Sequence, residues 1–497
     1  MQKRVGFIAV VSVLAVLLAL PSWGWQGRMA GMGDAAGLVA DESDFLIHPA
    51  AIATGKGFNA YGHYRLTYEK TKNWEYSASV PAMDVIYPFT ADGRLWKHEG
   101  QLGAALGLGP GRLGVFFDYT TANGKYTGTE VYEGFSGPGY ENFELENKLD
   151  NFALKAIYGL PVGPVNVGAE LGFAYVKEEQ KNLMPTEMLV NYPWGAEDYP
   201  EYNLLPYMIP FDSKYWEANA KLSAAGKTGP VSYMFTLRGG LPFAADNEYV
   251  HSDLSAPASF FSAEGKVKGF NVAGDVWMRF AVSDNISLPF VVSAGFKKIT
   301  RDGSGVSNYA TTVEYEHEAK DVSLTVGGGA EMTPASGTRL AAGLYYNYLK
   351  SEQNVQFMES GVLSWYFDNY TDMLKTSEHR LTLRLLAEQE LNSVVALRGG
   401  LSAFYGLAKR DYSYNADGNN FWFPPSPVSV SADGAHYGVN ASLGASIKAG
   451  AVVLEPFINA GYAKFKTDGD GFTESMPTYV EVNKTNWLAG GGLSVKF

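Results

Sequence analysis

The side chains best suited to chemistry in this 497-residue chain are seven histidines, at positions 48, 63, 98, 251, 317, 379 and 436. None belongs to an H-E-x-x-H pair, which would set two imidazoles on one helix face to hold zinc. The densest cluster is EYEHEA (314–319), where His317 stands among Glu314, Glu316 and Glu318. It could hold a cation, but an exposed charged rim explains the same composition with fewer demands. Gly-Ser-Gly at 303–305 lacks the spacing of a G-x-S-x-G nucleophile elbow. The absence of cysteine removes disulfide scaffolds, thiolate metal sites and thioether-linked haem. A net charge of −13 argues against nucleic acid, whose phosphates need a Lys and Arg footprint. The residues therefore predict no enzyme and no cofactor. Calcium or magnesium at acidic loops stays open, and a hydrolase on a barrel rim is the weakest reading.

The remaining charges are spaced in twos, and that spacing points to strands. FNAYGHYRLTYE (58–69) sets Tyr64, Leu66 and Tyr68 on one face and Tyr61, His63 and Arg65 on the other. VNVGAELGFAYV (165–176) isolates Glu170 in the same way, and FNVAGDVWMRFAV (270–282) places Asp275, Trp277 and Arg279 together. The connections alternate in length. Brief turns (109–111, 161–164, 225–230, 283–285, 333–337, 391–393, 448–450) separate long polar and aromatic intervals, among them 122–145, 178–213, 241–265 and 406–433. One short end and one tall end is the mark of a transmembrane antiparallel β-barrel. The expected fold is all-β with 14–16 strands, sixteen by direct count of the turns. Each crossing needs ~9–11 tilted residues, and closure is required because lipid cannot pair an open edge.

The lumen face can then be read from the alternation. It carries His63, Arg65, Glu170, Glu217, Arg238, Asp275, Arg279, Glu331, Arg339, Arg380, Arg384, Glu388, Arg398 and Glu455. Isolated charges there are costly, so mixed-sign pairs are expected. Tyr61, Phe116, Ile157, Trp277, Val291, Tyr345, Leu386 and Phe404 share the face, more apolar groups than a pore for ions needs. Pro289 and Pro456 fall within strands, where a missing donor predicts a locally opened ladder or simply a strand start.

The ends carry addresses. Residues 1–24 read as a signal peptide: Lys3 and Arg4, then an apolar run to Leu20, then Pro21 and small residues. The chain closes on NWLAGGGLSVKF, with Leu493, Val495 and Phe497 on one face. This resembles the signal by which bacterial outer-membrane barrels are recognised by the barrel assembly machinery. The expected location is the bacterial outer membrane, with its lipid and lipopolysaccharide as further partners and nucleic acid excluded. The predicted division is 1–24 leader, 25–56 an amino-terminal segment, and 57–497 barrel.

That amino-terminal segment fits neither strand nor membrane helix. RMAGMGDAAGLVADESDFLIHPAAIA (28–53) resembles the start of the fatty-acid transporter (FadL) family: Gly31-Met32-Gly33, then Ala40-Asp41-Glu42, then His48-Pro49-Ala50. The family pattern has Asn where this chain has His48, and family barrels have fourteen strands. The resemblance implies a plug inside the barrel, with Gly31, Gly33, Asp41, Asp44, His48 and Pro49 at its key positions. It also implies hydrophobic small molecules, such as long-chain fatty acids or hydrocarbons, crossing through the wall toward the membrane. Capture would fall to aromatic outer loops, with Tyr192, Trp194, Tyr199, Tyr202 and Tyr207 in the longest. The alternatives are a porin for polar solutes and the barrel of a larger envelope complex.

Overall fold

The structure, a computed structural model, describes Ala30, Met32 and residues 37–80, 85–134, 137–183, 211–252, 260–307, 312–360, 369–417, 428–473 and 476–497. The leader (1–24), Gly31, Gly33 and the aromatic interval 184–210 lie outside the described residues. Two short 3-10 helices, Glu42–Leu46 and Pro49–Thr54, precede sixteen strands. These are β1 (Asn59–Val80), β2 (Val85–Leu108), β3 (Gly111–Gly134), β4 (Gly137–Val162), β5 (Val165–Leu183) and β6 (Phe211–Thr228). Then come β7 (Val231–Ser252), β8 (Phe260–Ser283), β9 (Ile286–Ser307), β10 (Thr312–Ala335) and β11 (Thr338–Ser360). The last are β12 (Asn369–Glu390), β13 (Val395–Asp417), β14 (Val428–Ala449), β15 (Val452–Thr473) and β16 (Met476–Lys496).

Every strand pairs antiparallel with its chain neighbours, and β1 pairs with β16 to close the barrel. At the seam the Ala60 amide donates to the Phe497 carbonyl (3.1 Å) and the Phe497 amide to Ala60 (2.9 Å). His63 hydrogen-bonds Ser494 across it (2.7 Å) and stacks on Phe457. Closure leaves no strand edge to satisfy, the condition a sheet must meet in hydrocarbon.

Alternation sorts the side chains as the spacing predicts. Outward residues such as Leu171 (65% exposed) and Ile458 (62%) bare their whole apolar bulk, whereas inward Phe116 and Ile157 are buried. Exposure on that scale suits lipid rather than water. On β16 the outward run Trp487, Ala489, Gly491, Leu493, Val495 and Phe497 has the ~9–11-residue length of one crossing. The strands continue well above it, β4 reaching 26 residues. The interval 122–145, expected as a loop, is therefore mostly sheet: β3 and β4 stay paired to Gly134 and Gly137. Its Thr, Tyr and Val content favours strand even where no membrane surrounds it. At the short end, Gly109, Gly163, Gly229 and Gly450 adopt φ of 59–64°, a left-handed turn open to glycine at little cost.

Among the ladder irregularities of the described wall, three stand out. The ladder from β9 to β10 skips from Phe290 to Ser287 beside Pro289, and that from β15 to β14 skips from Phe457 to Leu454 beside Pro456. Each proline removes one donor near a strand start. The third is larger. Between β7 and β8 pairing stops at Gly240–Asn271, resumes at Asn247–Gly265, and changes register in between. β8 stays paired to β9 throughout this stretch, and β7 to β6 except at a bulge opposite Tyr215, so this is a window between two strands that are each held on their other side.

Candidate functional site

The described part of the amino-terminal segment lies inside the barrel, and its local chemistry explains its shape. Asp41 caps the first 3-10 helix by accepting from the Ser43 amide (2.9 Å) and hydroxyl (2.6 Å). Asp44 reaches back to the Asp41 amide (3.1 Å). The acidic step is thus a capping box, which satisfies the free donors of a helix start. Pro49 opens the second helix at a position where its missing N–H costs nothing. Between the helices His48 is fully buried. Its Nδ1 hydrogen-bonds the Thr236 hydroxyl on β7 (2.7 Å), and its ring meets the edge of Trp277 on β8 at 4.4 Å. Nε2 is buried with no hydrogen-bond partner among the described residues. Burial, reinforced by the nearby charges of Lys221 and Arg238, lowers the His48 pKa to about 3, so the imidazole is neutral.

The segment is seated on wall glycines. A Cβ at Gly168 would collide with the backbone of Pro49 and Ala50, one at Gly159 with Ile52, one at Gly400 with Met32 and one at Gly329 with Leu38 as well as the Ala342 carbonyl, while one at Gly343 would press tightly on Leu38. Two apolar clusters follow from that close approach. Met32, Leu38 and Val39 pack on Trp277, Val291, Ala341, Tyr345 and Leu386. Phe45, Leu46 and Ile52 pack on Tyr61, Ala105, Phe116 and Ile157. At ~1.5–3 kcal/mol per fully buried large side chain, these contacts are the main source of docking energy.

Polar anchors fix the direction. Lys221 donates to the Leu46 carbonyl (2.7 Å) and to Glu170 (3.1 Å), Arg279 to the Leu38 carbonyl (3.1 Å), and the Ala50 amide to Ser223 (2.5 Å). The inward charges form the expected mixed-sign sets. Arg238 pairs with Asp275 (3.4 Å), Glu331 with Arg279 and with Arg339 (3.2 Å), and Arg398 with both Glu388 (2.7 Å) and Glu455 (2.9 Å). Arg384 lies over the Tyr345 ring, 4.7 Å from its centroid. Arg65 is half-buried on the lumen face of β1. These groups brace the wall and its contents.

A third apolar cluster lies on the lumen side without the segment. Leu95, Ala122, Leu149, Ala174, Val176, Tyr215, Val267 and Ile299 join across β2 to β9. Val267 belongs to the unpaired stretch of β8, so the wall window backs directly onto this cluster. On the outer side Phe243 and Phe270 are 43% and 42% exposed at the same window.

The structure brings Asp41, Asp44, His48, Pro49, Glu170, Arg238, Asp275, Trp277 and Arg279 into one luminal assembly. His63 belongs to the seam, and Leu493 and Phe497 face outward on the closing strand. His317 is inward and buried while Glu314, Glu316 and Glu318 point out, so the strand pleat takes the EYEHEA cluster apart. Sequence reading missed Lys221, Ser223, Thr236 and the glycine seats. Glycines recurring on inward positions of successive strands would have been the signal.

No family model and no curated protein matches the chain. Among solved structures, it is similar to the Pseudomonas putida toluene transporter TodX at 11% identity, covering 95% of this chain and 98% of that one with a TM-score of 0.41. The Ralstonia pickettii toluene transporter TbuX shares 10% identity over 95% and 99% of the two chains, with a TM-score of 0.38. A Pseudomonas aeruginosa FadL homologue shares 10% over 95% and 97%, also at 0.38. Likenesses this remote leave the function to be argued from the chain's own residues.

Proposed function

We propose that this chain is a passive transporter of hydrophobic small molecules in the bacterial outer membrane, with the segment up to Thr54 acting as a plug. The observation that carries this reading is the apolar seam between segment and wall. Leu38 and Ile52 reach the wall through glycine seats, and Phe45 packs on Tyr61 and Phe116. A pore for polar solutes gains nothing from closing its waist with side chains that exclude water. The outer-membrane assignment rests on the closed barrel and its apolar outer band.

The window between β7 and β8 supports a sideways route. An apolar molecule that reaches the Val267–Tyr215 cluster meets a stretch of wall with no ladder to break. It can pass between Phe243 and Phe270 into lipid without crossing the aqueous space below. Nothing in such passage requires acid–base chemistry or a cofactor, and we read the protein as non-enzymatic. Long-chain fatty acids and hydrocarbons are the substrate class that fits. The test is binding of a fluorescent long-chain fatty acid to the purified barrel, followed by uptake of a radiolabelled alkane into proteoliposomes. Saturable binding and protein-dependent uptake are expected. Absence of both, with rapid entry of sugars instead, would replace this reading with a polar porin.

A further inference from the structure

We propose that the outer face of β1–β3, just above the aromatic girdle, is a binding site for the phosphorylated headgroup of an outer-leaflet glycolipid of the lipid A type. The inference rests on the outer-membrane reading above but not on what the barrel carries. In the sheet, Lys70 lies directly opposite Arg94, and Arg94 directly opposite Lys125. All three are on the outer face, since their flanking residues Thr71, Leu95 and Tyr126 are buried inward. Lys125 has Glu146 opposite it on β4, but Lys70 and Arg94 face each other directly, and like charges so placed repel, which an anion lying against them would offset. The protein as a whole is acidic, with a net charge of −13, which makes a basic row of this kind a local feature rather than a general one.

Height identifies the anion. One pleat below the row, Tyr68 and Trp96 pack with ring centroids 4.4 Å apart, and Trp487, opposite Lys70, packs on Tyr462 at 4.8 Å. Such aromatic clusters settle at the headgroup level of a bilayer. Two residues of tilted strand place the cations ~5 Å higher, where phosphates of the outer leaflet lie. Lys72 and Lys464 flank the row, each opposite Thr485 on β16. The nearest acids, Asp92 and Glu146, are fewer than the cations, and Glu146 also faces Lys148 at 3.4 Å. A diphosphorylated headgroup with acyl chains running down past Trp96 and Leu102 satisfies both halves of this surface. A soluble anion would satisfy only the upper half.

The experiment uses the full-length barrel in neutral detergent, titrated with bisphosphorylated lipid A and followed by thermal unfolding and direct binding. Lipid A should raise the melting temperature of the wild type, as any ligand of the folded state does. In Lys70→Gln/Arg94→Gln/Lys125→Gln the affinity should fall ~10-fold or more, and wild-type binding should weaken with salt. Without lipid A the triple variant should be at least as stable as the wild type, because repulsion has been removed. Lys350→Gln/Lys375→Gln, cations of β11 and β12, should bind as the wild type does. If the triple variant fails to fold, Arg94→Gln alone, in the middle of the row, should show ~3-fold weaker binding. Equal binding by variant and wild type overturns the proposal. So does equal binding of dephosphorylated lipid A, or of phosphatidylglycerol vesicles, which share a phosphate but not the glycolipid. The uptake assay with the same variant separates the two readings: lost lipid A binding with intact uptake touches only this site.

Discussion

Lowering the pH from about 7.5 to about 5 should loosen the luminal segment of the wild-type protein and leave His48→Asn far less affected. His48 is held neutral in the docked state, its pKa lowered from 6.5 to about 3 by burial first and by Lys221 and Arg238 second. Released from the wall, the imidazole takes up a proton near 6.5. The docked state therefore keeps its full stability above that value and loses it as pH falls toward about 3. At ~1.4 kcal/mol per pH unit, the interval down to pH ~5 removes roughly 2 kcal/mol, a ~30-fold shift toward the undocked state. The structural reason is that protonated Nε2 would be a buried cation's N–H with no acceptor among the described residues. Asparagine keeps a polar contact to Thr236 within reach but does not titrate. Hydrogen exchange of the amides from Leu46 to Gly55, corrected for intrinsic rates, reads the undocking directly. Equal acceleration in wild type and His48→Asn, or none in the wild type, would refute the reasoning.

Gly168→Ala should dislodge the second 3-10 helix at a cost of ~1–3 kcal/mol, because the new methyl meets the backbone of Pro49 and Ala50. Faster proteolysis of the segment with an unchanged barrel melting temperature is the expected result. Val267→Asp places a charge in the cluster behind the wall window, and alkane uptake should fall ~10-fold with no change in bilayer current. Arg398→Met leaves Glu388 and Glu455 facing each other without their shared cation, a loss of ~3–5 kcal/mol that should lower the urea midpoint of the barrel.

The barrel was largely legible because period two is a strong signal and the turns are brief. The inward positions of Glu170, Asp275 and Arg279 followed from alternation alone, and so did the outward positions of Leu493 and Phe497. Two kinds of information were not in the pattern. The first is what an inward residue meets: Leu38 finds Gly329 and Gly343, and His48 finds Thr236, only once the wall has curved around the segment. The second is where a strand continues without a neighbour. Residues 241–246 read as the start of a long loop, yet Leu241, Pro242, Phe243 and Asp246 pair with β6 across a bulge while the whole stretch parts from β8, and Gly239-Gly240-Leu241-Pro242 gave no hint of which side would open. The EYEHEA cluster shows the reverse error, in which neighbours in sequence become opposite faces of a sheet. The interval 122–145 looked like loop because its polar content resembles one, but its β-forming residues pair above the membrane as readily as within it.

If the amino-terminal segment is a plug, it closes a barrel that would otherwise conduct. Single-channel current across a planar bilayer, compared between the intact protein and a variant lacking residues 27–50, reads that closure. The intact protein should be silent or nearly so, and the deletion should give large, steady, ohmic openings from a barrel that still folds. Large ohmic currents from the intact protein would contradict the claim.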